Sequence, residues 1–222
     1  MRHTEGVNAY VRPPIDPPVF RDAAGEVIDY GNRWPDSPPE ETYSVDTHPE
    51  RFAPLHTVAD ALIVHLRDVY DVEIIENRSV IADLLRPPYF DVTKAVRIQP
   101  NDPACATLTF VFTAYPGLYV HAGLLHDFHF PVCGCDACDT TWDAEADGLE
   151  QLVFALVGGH YRELVGPEPW VGFALTFPDG ATSGKSRAED LPVERLEAAM
   201  STLRSRADRW ASWPQVASAA RP

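Results

Sequence analysis

Residues 91–130 read DVTKAVRIQPNDPACATLTFVFTAYPGLYVHAGLLHDFHF, and this stretch decides the fold class. Val96 and Ile98, then Leu108, Phe110 and Phe112, then Val120, Ala122 and Leu124 alternate with mostly polar or small residues. A period of two sends successive side chains to opposite faces of an extended chain, so the run predicts half-buried antiparallel strands. Tyr115-Pro116-Gly117-Leu118 supplies a type II turn, with Pro at its second position and Gly at its third. A strict two-residue loop would set Phe112 opposite His121, whereas the apolar pattern asks for Phe112 opposite Val120. A one-residue slip reverses every face, so a bulge or a longer loop is expected there.

Helical patterns flank these strands. Thr57 is a suitable N-cap ahead of Leu62, Leu66 and Val69, which predicts a helix reaching about Tyr70. Val72–Glu76 reads as a short strand, and Arg78–Leu85 as a short helix or turn stopped by Pro87 and Pro88. A second helix is expected over Thr141–Val157, with Asp143, Glu145 and Asp147 at its positive end and Gly158-Gly159 as its stop. Its buried stripe would be Trp142, Leu149, Val153 and Leu156, and its acids a solvated face. His160-Tyr161-Arg162-Glu163 reads as surface, helix-end chemistry, and Trp170–Phe177 as a strand turned by Pro178-Asp179-Gly180. A last helix begins near Pro192 and turns Val193, Leu196, Met200, Leu203, Ala207 and Trp210 inward. Strands in the middle with helices before and after predict an α+β fold, an antiparallel sheet of about 4–6 strands with helices packed mainly on one face.

The chain has 222 residues, 45% of them hydrophobic, enough to bury a core without disulfides. Nine of its 21 prolines precede residue 55, so residues 1–56 are expected to form an extended arm. Tyr10, Phe20, Tyr30 and Trp34 in that arm argue that it drapes over the domain, because solvated linkers are poorer in large aromatics. A single domain over residues 57–213 and a tail at 214–222 complete the expected organisation. A net charge of −15 with no basic cluster argues against nucleic acid. No apolar run approaches the ~18 residues of a membrane span, so a cytoplasmic protein is expected. Lys94 and Lys185 are the only lysines among many arginines, alanines and prolines, the bias of a GC-rich bacterial genome.

Three of the four cysteines fall in Cys133-Gly134-Cys135-Asp136-Ala137-Cys138. Extended residues two apart share a face, and a tight turn through Asp136-Ala137 can bring Cys138 to the same point. Three converging thiolates are three corners of a tetrahedral zinc site. The fourth ligand could come from His129, His126, His121 or Cys105. His129 is nearest in sequence, although an extended chain leaves it about 13 Å from Cys133 unless Pro131 turns the chain. His126 shares the apolar face of its strand, where a hydrogen-bonded core histidine is the plainer reading, and His121 is expected to face outward. A redox reading of Cys135 and Cys138 is weakened by Asp136 and Asp139, which should raise thiol pKa values.

The run Phe130-Pro131-Val132-Cys133-Gly134-Cys135-Asp136-Ala137-Cys138-Asp139 resembles the signature of an uncharacterised domain family of high-GC bacteria, over roughly residues 57–210. The resemblance implies bacterial origin and one domain, and transfers no catalytic residue. Gly180-Ala-Thr-Ser-Gly184-Lys185-Ser186 is one residue short of a phosphate loop and reads better as the tip and return strand of a hairpin. The sequence thus points to a non-enzymatic domain with a structural zinc held by Cys133, Cys135, Cys138 and His129, and a protein partner. The alternative is a thiol-redox or zinc-dependent enzyme using Cys135, Cys138 and a nearby histidine; an acidic neutraliser of a basic protein is a third idea resting on charge alone.

Overall fold

In the computed structural model, which describes residues 9–16, 18–166, 170–178, 180–206 and 209–216, the alternating stretch supplies four of the five strands of one antiparallel sheet. These strands are β1 (Val72–Glu76), β2 (Val92–Pro100), β3 (Leu108–Thr113), β4 (Leu118–Ala122) and β5 (His126–Phe130), hydrogen-bonded in chain order. β3 lies at the centre and is buried along its whole length. Leu108, Phe110 and Phe112 belong to the main core, while Val111 packs on the other face with Val80, Leu84, Val92 and Ala95.

The β3–β4 register keeps apolar residues opposite apolar ones but differs from the expected pairing. Phe112 faces Leu118 and Phe110 faces Val120. The longer loop is present, closed by the Thr113 N–H donating to Gly117 O at 3.2 Å. A shift of two residues preserves both faces of the sheet, as a shift of one would not.

Helix α1 (Pro54–Val69) begins at Pro54, ahead of Thr57, because proline presets a helical φ where no N–H partner is needed. Helix α2 (Trp142–Val157) is capped by the Thr141 hydroxyl, which accepts from the Ala144 N–H at 3.4 Å. It ends at Gly158, and Gly159 turns the chain away at φ +74°. Leu62 and Leu66 of α1 and Leu149, Val153 and Leu156 of α2 meet Phe110 and Val120 in the main core. Each such side chain contributes about 1.5–3 kcal/mol by leaving water. A 3-10 turn at Arg78–Asp83 brings Val80 onto the opposite face.

A second antiparallel sheet holds β6 (Tyr161–Val165), β7 (Trp170–Phe177) and β8 (Gly180–Arg187). The run from Gly180 to Ser186 is the return strand of a hairpin, paired along its length with β7. β6 overturns the surface reading of His160–Glu163, since Tyr161 and Glu163 are fully buried. Helix α3 (Val193–Ser205) buries Ala199 and Leu203 but leaves Val193 exposed. Trp210 is buried beyond the helix end, and Ala207 and Asp179 lie outside the described residues.

The β4–β5 turn passes through Gly123 at φ +69°, where an added Cβ would sit 2.3 Å from Glu163 Oε2. Gly123→Ala is therefore expected to cost at least about 2 kcal/mol in urea unfolding. Gly180→Ala, with open space at its Cβ, should stay within about 0.5 kcal/mol of wild type.

Candidate metal centre

Beyond β5 the chain enters the cysteine turn, whose amide groups have no ladder of their own. The N-terminal segment satisfies them: the Asp136 N–H donates to Val45 O at 2.7 Å and the Ala137 N–H to Thr42 O at 3.1 Å. On the other side, Glu145 Oε2 accepts from the Val132 N–H at 3.1 Å, just before Cys133. Gly134 is required by close approach, because a Cβ there would lie 2.0 Å from the Tyr115 hydroxyl.

The backbone so held brings three sulfurs together. Cys133 and Cys135 Sγ are 3.3 Å apart, Cys135 and Cys138 Sγ 3.4 Å, and all three lie within 4.8 Å of one another. Thiolates bound to one tetrahedral zinc are about 3.8 Å apart, given Zn–S bonds near 2.3 Å. A disulfide would need about 2.05 Å. Cys133 and Cys135 are half-buried and Cys138 is exposed, so the group opens to solvent at Cys138.

Burial raises the Cys135 pKa, but donors outweigh it: the Cys138 backbone, the Cys133 and Cys138 thiols and the Ser44 backbone bring it down to about 7. Cys138 is pushed up to about 12, first by its hydrogen bonds with Cys133 and Cys135. A bound cation would override this sharing of protons and hold the ligating thiols as thiolates. The expected thiol-raising effect of Asp136 and Asp139 does not govern Cys135, because both carboxylates are engaged elsewhere. Asp136 pairs with Arg33 at 3.7 Å and Arg51 at 3.6 Å, and accepts from the Thr47 hydroxyl. Asp139 Oδ2 accepts from the Gly31 and Arg33 N–H groups at 2.9 Å each.

Arg51 ties these parts together. Its guanidinium donates to Gly134 O at 2.6 Å and to Asp46 Oδ1 at 3.1 Å, and packs against the Tyr30 and Phe52 rings. Asp46 in turn accepts from the Tyr115 hydroxyl at 2.5 Å, and burial followed by that bond raises the Tyr115 pKa. Sequence reasoning did not find Arg51, Asp46 or Tyr115, since their partners are remote along the chain and no local pattern marks them.

The other ligand candidates sit elsewhere. His129 is outside the sulfur group, facing Tyr119 across the β4–β5 ladder with ring centroids 4.6 Å apart. His126 is a buried, hydrogen-bonded histidine as expected, 3.1 Å from Glu163. His121 does not face outward; it is buried with Nδ1 2.7 Å from Asp127, on a sheet face that Arg195, Ala199 and Thr202 of α3 also line. The Cys105 thiol, raised by burial to about 11, lies 3.4 Å from Ser212 O.

Fold and site together define an α+β protein of two antiparallel sheets carrying a tri-cysteine turn. The chain belongs to a family of unknown function (DUF6226), whose model matches residues 16–217 and so reaches back through the segment that holds the turn, farther than the expected start near residue 57. No curated protein and no solved structure matches it. Among the described residues, no helix is long and apolar enough to cross a membrane.

Asp136→Ala would remove a partner from two arginines, one of them buried. The expected loss is about 3 kcal/mol in urea unfolding, with earlier proteolytic cleavage between residues 18 and 53. Asp68→Ala, breaking the exposed pair with Arg67, should change stability by less than about 1 kcal/mol.

Proposed function

We propose that Cys133, Cys135 and Cys138 hold a structural zinc ion, and that the protein is a non-enzymatic, metal-stabilised domain that binds a protein partner in the bacterial cytoplasm. The observation that carries this reading is the meeting of three sulfurs within 4.8 Å on a turn fixed from both sides. Soft thiolates select zinc over magnesium or calcium. Backbone donors on Cys135 and the arginines on Asp136 offset the negative charge that three thiolates bring.

The metal would join segments far apart in sequence, because the turn is bonded to Thr42, Val45 and Thr47. Binding energy would then appear as folding energy, as in other small structural zinc sites. The fourth corner, on the side of exposed Cys138, is left to water or to a partner's side chain. A protein partner is supported by Val132, 78% exposed, and Phe90, 39% exposed, which line one shallow depression beside the turn.

Metal analysis of protein purified without added metal tests the reading. One zinc per chain is expected in wild type, with a large loss in Cys135→Ser, and chelation should speed cleavage between residues 18 and 53. Metal-free native protein whose thiols titrate freely would overturn the metal site and favour Cys135 and Cys138 as a redox pair.

A further inference from the structure

Cys135 stands at the middle of the sulfur group, 3.3 Å from Cys133 and 3.4 Å from Cys138. The Cys138 N–H donates to Cys135 O at 3.2 Å, which closes a β-turn between these two residues. Such a turn keeps its end Cα atoms within about 7 Å, and a disulfide asks for about 4.4–6.8 Å. The backbone is therefore already set for a bond between Cys135 and Cys138, and their sulfurs need close by only about 1.4 Å to reach S–S bonding distance. Cys138 is the exposed member of the group, so a small oxidant meets its sulfur first. The fourth cysteine, Cys105, is buried against Ser212 O and lies outside the group.

The turn is tied to the N-terminal segment inside and just beyond the Cys135–Cys138 pair. Asp136 and Ala137 donate to Val45 O and Thr42 O. Asp139 follows at φ +52°, its carboxylate accepting from the Gly31 and Arg33 N–H groups. A change in the spacing of Cys135 and Cys138 thus acts directly on the backbone bonds that hold residues 31–45.

We propose that the turn is a site of oxidative modification, at which hydrogen peroxide joins Cys135 to Cys138 in a disulfide and the zinc is released. The proposal rests on the zinc reading above and adds the regulation of that site. The Cys138 thiolate attacks one peroxide oxygen: an S–O bond forms, the O–O bond breaks and hydroxide leaves, giving a sulfenic acid. The Cys135 thiolate then attacks the Cys138 sulfur; the S–S bond forms, the S–O bond breaks and a second hydroxide leaves. Two electrons pass from the two sulfurs to the peroxide. The zinc loses two of its three protein ligands, and Cys133 alone cannot hold it. A thiol reductant reverses the bond by exchange.

The zinc content of the full-length protein, purified without added metal, is measured before and after hydrogen peroxide, with release followed by a chromogenic chelator. One zinc should leave per disulfide formed, and thiols titrated after denaturation should fall from four to two per chain. Peptide mapping should find Cys135 bonded to Cys138 and Cys105 still reduced. Cleavage between residues 18 and 53 should quicken as it does under chelation, and dithiothreitol with zinc should restore resistance. Cys138→Ser should lose thiols to peroxide about tenfold more slowly than wild type. Because that variant gives up a ligand, mapping of the wild-type protein decides the matter if it fails to fold. Zinc and all four thiols retained at millimolar peroxide would overturn this proposal and leave the metal site standing, as would a bond between Cys133 and Cys135. Metal-free native protein would overturn both.

Discussion

A guanidinium taken out of water destabilises a fold unless it is paired, and Arg51, 2% exposed, is paired on several sides. Its partners are Asp46 and Asp136, the Gly134 carbonyl, and the faces of Tyr30 and Phe52. Through them one side chain joins the N-terminal segment, the β3–β4 loop at Tyr115 and the cysteine turn. The thiols converge because this scaffold fixes the backbone between them. Three sulfurs on a free six-residue loop would have no reason to stay within bonding range of one ion.

The same logic recurs at Glu163. A carboxylate at zero exposure is tolerable only when its oxygens are filled, and two backbone amides, an indole and an imidazole fill them. The network links the β4–β5 turn of the first sheet to β6 of the second and to Trp210. The same network holds the His126 ring in place, its Nδ1 3.1 Å from Glu163 Oε1. Both polar centres thus arise where the structure surrounds a buried ionisable side chain with partners drawn from distant segments.

Much of the sheet was legible in the sequence because its determinant is local. Alternation over Val96–Leu124 and the Pro116-Gly117 turn mark β2, β3 and β4 as antiparallel strands, though not the turn at Gly123 that separates β4 from β5, and Thr141 and Gly158-Gly159 bracket α2 closely. The α+β class followed from that order of elements. β6 was not legible, because Arg162 and Glu163 look like surface residues unless one knows that Trp210 and the β4–β5 turn supply donors to Glu163. His121 was misjudged for a related reason: alternation tells which residues share a face, but not that α3 returns from far along the chain to cover the second face. The three cysteines announced themselves by spacing, whereas Arg51, Asp46 and Tyr115 could not, their contacts depending on how the N-terminal segment packs.

The central claim, that the turn is built around a metal, is tested most directly by X-ray absorption at the zinc edge on protein purified with its native metal. The account predicts three sulfur neighbours at about 2.3 Å and one lighter atom near 2.0–2.2 Å. A zinc shell of nitrogen and oxygen alone, or no stoichiometric zinc, would contradict it.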